Sequence, residues 1–267
     1  MNIFNVVGRK LGKRAQEIDP RTLKLADYLT PPEPIPLPPR KADYLSPVKN
    51  WPMFMNDTIG DCTIAAPGHM IQEWTTVSGQ NTVTLTDADI LAAYEVVGGY
   101  VPGDPTTDNG CVLMDVLRYW RGTGIGGHKI TAFVAVDITN RVEVRQAIYL
   151  FGNVLLGLGL PITSQNPDTR AGLPCWDVPA YGAVRNGSPW SWGGHCVPVG
   201  QYSADPKGFR GLEVVTWGQV YQMTWAFLEA YADEAYVVLS PDWINQEGKS
   251  PTGFNLDQLM ADLNAIK

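Results

Sequence analysis

Two short runs in this chain carry residue types that could do chemistry together. Cys62 lies in Asn56-Asp57-Thr58-Ile59-Gly60-Asp61-Cys62-Thr63-Ile64-Ala65-Ala66, and His195 lies in Gly193-Gly194-His195-Cys196-Val197-Pro198-Val199-Gly200. A thiol that opens a small-residue helix gains thiolate character from the helix N-terminus and from a neighbouring imidazolium, which makes it a nucleophile. An imidazole entering an apolar strand can take the thiol proton and pass it to a leaving group. Asn56, six positions before the thiol, could donate its amide to an oxyanion alongside the backbone N–H of Cys62. The alternative for Asn56 is a turn residue, since Asn-Asp suits loops. The chemistry is acyl transfer to sulfur, which points to a cysteine hydrolase or a descendant of one.

Competing candidates are few, because the chain has three histidines. His69 follows Cys62 by seven residues on the same predicted helix, about 10 Å further along its axis, and reads as a core or interface residue. His128 sits in a Gly-rich turn. No two histidines have metal-ligand spacing, so neither zinc nor another cofactor is expected. Cys111, Cys175 and Cys196 lack the flanks of Cys62 and read as small buried hydrophobes.

Composition narrows the setting. At 267 residues with 45% apolar content, the chain suits one large domain or two intimate subdomains. A net charge of −7 argues against nucleic acid as a partner, because phosphate contacts need clustered Lys and Arg. Residues 1–30 nevertheless carry six basic and three acidic groups, so the remainder is more acidic than the whole. The basic cluster follows the short apolar start instead of preceding it, unlike a signal peptide. The longest apolar run, 147–162, is broken by Gly152, Asn153, Gly157, Gly159 and Pro161, so no membrane partner is expected. Four cysteines without a close pair fit a reducing compartment, and hence the cytoplasm.

The elements that must position the two runs alternate along the chain. Residues 1–45 form a basic arm with Pro31, Pro32, Pro34, Pro36, Pro38 and Pro39, a composition that favours extended geometry. Helices are predicted over Cys62–Trp74, with Pro67 awkwardly inside, from Thr86-Asp87-Ala88-Asp89 onward, over Leu113–Trp120, and after Asn140. Strands are predicted at Val154–Leu160, Cys196–Tyr202, Gly211–Trp217 and Ala235–Leu239, with a helix over Met223–Ala230 and a final amphipathic helix within 248–267. The result is an α+β protein. Its main domain spans 46–247, helical to about 135 and β-rich after, with the thiol on the helical half and the imidazole on the β half.

These pieces, in this order, resemble the papain-like cysteine peptidases over roughly residues 45–240. Asn56 stands where that family has its oxyanion Gln. Leu85-Thr86-Asp87-Ala88-Asp89-Ile90 is similar to its Leu-Ser-Glu-Gln segment, and Asn109-Gly110-Cys111 with Leu113-Met114-Asp115 to its Gly-Cys-x-Gly-Gly-Leu-Met-Asp stretch. Gly194-His195-Cys196-Val197 matches the histidine strand and Thr216-Trp217-Gly218 its Ser-Trp-Gly. More closely, the chain resembles a group of bacterial and phage proteins with a Gly-Asp-Cys-Thr-Ile-Ala-Ala signature. The resemblance implies a papain-like fold, a Cys62–His195 dyad working through an acyl-enzyme, a Trp217 shield over the imidazole, and a peptide or protein substrate.

The departures are specific. The family's Asn that orients the histidine is Val215 here, so nothing obvious holds the imidazole, and Asp205 lies too far round its turn to serve. Thr63 replaces the Trp after the nucleophile. Ile59 replaces a disulfide cysteine, which leaves Cys111 a free thiol. Two readings follow: a cysteine peptidase or amidase, and a papain-like fold kept as a structural or interaction module of a phage particle or other assembly. The arm has too few apolar positions for the family's inhibitory propeptide. It is expected to dock on its own domain, on an identical copy, or on a larger assembly.

Overall fold

The computed structural model describes residues 8–27, 37–206, 208–243, 250 and 252. In chain order the elements are β1 (Lys41–Asp43), α1 (Cys62–Val77), α2 (Asp87–Gly98), α3 (Leu113–Gly122), β2 (Ala132–Ala135), α4 (Arg141–Phe151) and β3 (Val154–Leu160). There follow β4 (Asp168–Arg170), β5 (Leu173–Trp176), β6 (Gly193–Ser203), β7 (Gly211–Thr216), β8 (Gln219–Met223), α5 (Trp225–Tyr231) and β9 (Ala232–Leu239). The predicted C-terminal helix lies outside the described residues.

Local signals start the helices where the sequence placed them. Thr86 Oγ1 accepts from the backbone of Asp89, and Asp89 returns a bond to the Thr86 N–H at 2.9 Å, a reciprocal cap that opens α2. Asn140 accepts from the N–H groups of Val142 and Glu143 and opens α4. In α1, Pro67 sits at the sixth position and removes one intrahelical bond. The helix survives this because tertiary packing holds it: every residue from Cys62 to Thr75 is buried.

The strands run β2-β9-β3-β6-β7-β8-β5-β4, with β1 added to β6. Pairing is antiparallel except between β5 and β8. β3 is apolar and buried along its whole length, which requires cover on both faces. One face meets α4 and α5 through Val144, Ile148, Phe151, Leu156, Val197 and Phe227. The other meets α1 to α3 through Ile64, Ile71, Trp74, Tyr94, Leu155 and Cys196. Successive residues of β6 therefore address different layers, which puts Cys196 toward α1 and Val197 toward the opposite layer.

The structure adds β1, β2, β4, β5 and β8 to the predicted strands, and moves the helix after β8 to Trp225–Tyr231, with Met223 ending β8. Thr216 pairs with Gln219, so Trp217 and Gly218 are the two residues of a tight hairpin. Both have positive φ, 46° and 70°, as hairpin turns of this length demand. The glycine adopts this freely. A tryptophan there is strained, and its placement is explained by the site below.

Two predictions concern stability. All four cysteines are free and buried, so dithiothreitol should leave the melting temperature unchanged. A drop equivalent to about 2–5 kcal/mol would reveal a disulfide. Glu73 on α1 is buried, and burial holds its carboxyl well above the ordinary range despite a bond from Asn153 at 3.2 Å. The folded state thus keeps a proton that the unfolded chain loses above its ordinary pKa, and stability is lost as pH rises through that window. Glu73→Gln should raise stability at pH 7, and the gain should shrink by about 1.4 kcal/mol per unit as pH falls toward the ordinary range. Denaturant melts at pH 4.5 and 7 check this; an equal difference at both would contradict it.

Candidate functional site

Cys62 is the first residue of α1, capped by Asp61 without a side-chain bond. A helix N-terminus favours a thiolate, and the sequence reading relied on that. The structure reverses the balance. Cys62 is buried, and burial pushes its thiol up to about 12, with Asp61 adding to it, against the backbone amides of Cys196 and Gly12 that favour the anion. Desolvating a charge outweighs a half-charge helix dipole when no water reaches the sulfur.

His195 is the third residue of β6 and is equally buried. Its Nε2 lies 2.7 Å from Thr216 Oγ1, and its Nδ1 has no hydrogen-bond partner. The ring stacks on Trp217 with centroids 4.4 Å apart and an interplanar angle of 14°. Trp176 meets the same imidazole edge-on. Burial, with Arg9 nearby, lowers the His195 pKa to about 3. At neutral pH the pair is therefore a thiol and a neutral imidazole. No hydrogen bond joins Cys62 to His195 among the described residues.

Thr216 is the residue that sequence reasoning missed. The position examined for an orienting group was Val215, which is buried and has no polar side-chain atom. The hydrogen-bond partner of the imidazole is instead the next residue, at the end of β7, where the hairpin begins to turn. The strained Trp217 that follows lays its ring on the imidazole. Recognising a Trp-Gly two-residue hairpin in the sequence would have marked Thr216 as the strand end beside it.

Asn56 is buried in the loop before α1, where Phe54 and Met55 both have positive φ, 54° and 64°. Its Nδ2 donates to the Ile59 carbonyl at 3.3 Å, so its amide is committed within the loop. Asn56, Cys62, Cys196, Thr216 and Trp217 line one cavity of about 10 Å³. His69 lines it too, but its Nε2 is bonded to the Pro52 carbonyl at 2.8 Å and its ring packs on Phe54, in keeping with a core role. His128 is removed from this cluster and faces Asp242 at 3.0 Å. Among the described residues no group of three or more His, Cys, Asp or Glu could hold a metal ion.

The N-terminal arm is bonded to two residues that line this cavity, Asn56 and Trp217. Lys10 N–H donates to the Asn56 carbonyl at 2.9 Å, and Trp217 Nε1 donates to the Lys10 carbonyl at 3.2 Å. Lys13 N–H donates to the Gly194 carbonyl at 3.0 Å; Cys111 N–H donates to the Gly12 carbonyl and Arg14 N–H to the Cys111 carbonyl. Residues 10–14 are thereby bonded to both halves, crossing between the segment that holds Cys62 and the strand that holds His195. Gly12 is the pinch point: a Cβ there would stand 1.6 Å from the Gly60 carbonyl oxygen. Arg9 lies over the rings of Trp217 and Tyr221 at 5.2 and 5.7 Å. The sequence reading set the family's inhibitory propeptide aside for want of apolar residues and expected a docking arm, with its own domain among the surfaces it could use. The contacts seen here are backbone hydrogen bonds and one buried cation, Lys13, which apolar counting does not register.

No family model and no curated protein matches the chain. Solved structures do. Xylellain, a cysteine protease from Xylella fastidiosa, superposes with a TM-score of 0.63 at 15% identity, over 90% of this chain and 98% of that one. Procathepsin B S9 from Trypanosoma congolense gives 0.57 at 12%, over 90% and 89%. Digestive procathepsin L 3 from the larval midgut of Tenebrio molitor gives 0.53 at 10%, over 88% and 76%. At these identities the likeness establishes a papain-like α+β fold.

Proposed function

We propose that this chain is a cysteine-type peptidase or amidase, held in a closed resting state by its own arm. Cys62 is the nucleophile and His195 the base. Thr216 fixes the imidazole through Nε2 and leaves Nδ1 for the thiol proton, and Trp217 shields that bond from water. The carrying observation is the His195–Thr216 bond at 2.7 Å, with the opposite ring nitrogen buried and unpartnered. A buried polar atom without a partner is costly, and a base awaiting its proton is a reason to keep one.

In the reaction, sulfur adds to a peptide carbonyl, the proton passes from Cys62 to His195 and then to the leaving amine, and water releases the acyl group. The oxyanion would meet the Cys62 backbone N–H, joined by Asn56 only if its amide leaves Ile59. The fold neighbours described as cysteine proteases support peptide or protein substrates. The arm across the site also suits a non-catalytic module, in which an exposed thiol would be alkylated but would turn over no substrate. Casein hydrolysis by the full chain carrying Lys13→Asp, which places a third acid beside Asp233 and Glu234, separates the two. Hydrolysis that Cys62→Ala or His195→Ala abolishes supports the peptidase; absence of hydrolysis with a ready-labelling Cys62 supports the module.

A further inference from the structure

The arm does more than cover the thiol, because it inserts one side chain into a site built to receive a cation. Lys13 is buried, and its ammonium lies 2.9 Å from Asp233 Oδ2 and 2.8 Å from Glu234 Oε1. Trp190 offers its ring face at 5.0 Å. Glu234 is itself 4% exposed; the Tyr236 hydroxyl donates to its Oε2 at 3.0 Å, and the Lys13 ammonium is the charge that faces its Oε1. Two glycines make the space. A Cβ at Gly157 would come within 2.2 Å of Lys13 Cε, and one at Gly194 within 2.0 Å of the Lys13 carbonyl oxygen.

This pocket adjoins the chemistry. Gly12, next to Lys13, presents its amide toward the Cys62 sulfur, and the Lys13 N–H bonds to Gly194, the neighbour of His195. A side chain in the pocket therefore belongs to the residue beside the one at the thiol. Burying a carboxylate such as that of Glu234 costs several kcal/mol unless a cation answers it, while the Asp233 side chain beside it stays 22% exposed. An apolar side chain would leave Glu234 Oε1 and Asp233 Oδ2 without a cation.

We infer that Asp233, Glu234 and Trp190 form a subsite selecting a lysine or arginine side chain adjacent to the bond at Cys62, with Lys13 occupying it in the resting chain. The inference rests on the peptidase reading for its meaning as specificity, but the selectivity itself is a matter of binding.

The test uses full-length protein carrying Cys62→Ala with either Lys13→Asp or Lys13→Ala, so that one variant suffices if the other fails to fold. A labelled hexapeptide with the sequence of residues 9–14 is titrated by fluorescence anisotropy, beside the same peptide with norleucine in place of the Lys13 equivalent. The lysine peptide should bind at least about tenfold tighter, and Asp233→Asn with Glu234→Gln should erase the difference. Equal binding of the two peptides, or binding of neither, overturns the subsite. Cleavage is scored separately with Cys62 restored. Selective binding without cleavage leaves the subsite standing and removes the peptidase reading, whereas cleavage without cationic preference does the reverse.

Discussion

Replacing Lys13 by Asp in the full chain should raise the rate of Cys62 alkylation by iodoacetamide at least about a hundredfold at neutral pH. Breaking a buried ion pair costs about 3–5 kcal/mol, because the remaining charges stay desolvated and unanswered. Here the remaining pair is the buried Glu234 and the partly exposed Asp233, and a third acid beside them adds repulsion. Burial opposes charge on Lys13, yet Glu234 and Asp233 together hold its ammonium above the usual lysine range, so the cation is a true latch at neutral pH. Once the arm leaves, water reaches the sulfur. The main cause of the raised thiol pKa then goes, and the helix N-terminus can act. Gly12→Ala should open the site by a different route, since its methyl would collide with the Gly60 carbonyl while the rest of the arm keeps its charges. Labelling followed by peptide mapping reads both variants. Cys175, which lies on β5, is the internal reference. If Cys62 labels no faster than Cys175 in either variant, the latch is not what protects it.

The second large effect concerns Thr216. In an opened chain, Thr216→Val should lower kcat about tenfold to a hundredfold with KM little changed, since the loss is of one hydrogen bond to a buried ring. Thr216→Ser keeps the hydroxyl and should restore most of the rate. Val215→Ala alters an apolar neighbour in the same cavity and should not reproduce the kcat loss. A uniform fall in stability cannot produce that pattern. Equal losses in Thr216→Val and Thr216→Ser would assign the residue to packing alone.

Much of the fold was legible because its signals are local. The Thr86–Asp89 cap, the Asn140 cap and the all-apolar β3 each announce an element without reference to the rest of the chain. The motifs around Cys62, His195 and Trp217 gave the papain-like order. Other features were hidden because they are made by pairing. β8, with Gln219, Tyr221 and Gln222, reads as polar and irregular until β7 supplies its partner. Missing that strand hid the hairpin, and with it Thr216. The arm's path was hidden for a further reason: backbone hydrogen bonds to Asn56, Cys111 and Gly194 leave almost no mark on side-chain composition. Only Gly12 and Lys13 carry a trace of it, as a glycine and a cation in a stretch that otherwise reads as a solvated basic tail.

The site also shows why a reactive motif need not be a reactive residue. The Gly60-Asp61-Cys62 turn places the thiol at a helix N-terminus, yet burial holds the thiol up to about 12 and the imidazole down to about 3. On the proposed reading, displacement of the arm should relieve the burial of the thiol first.

The measurement closest to the central claim is the mass of a trapped acyl-enzyme. The opened full chain, carrying Lys13→Asp, is mixed with an activated peptide ester, quenched in acid within seconds, and mapped by mass spectrometry. The account predicts one added acyl group, on Cys62, lost in His195→Ala and scarce in the chain with Lys13 intact. An acyl group distributed over Cys111, Cys175 and Cys196 as well, or none on Cys62 despite its exposure, would contradict it.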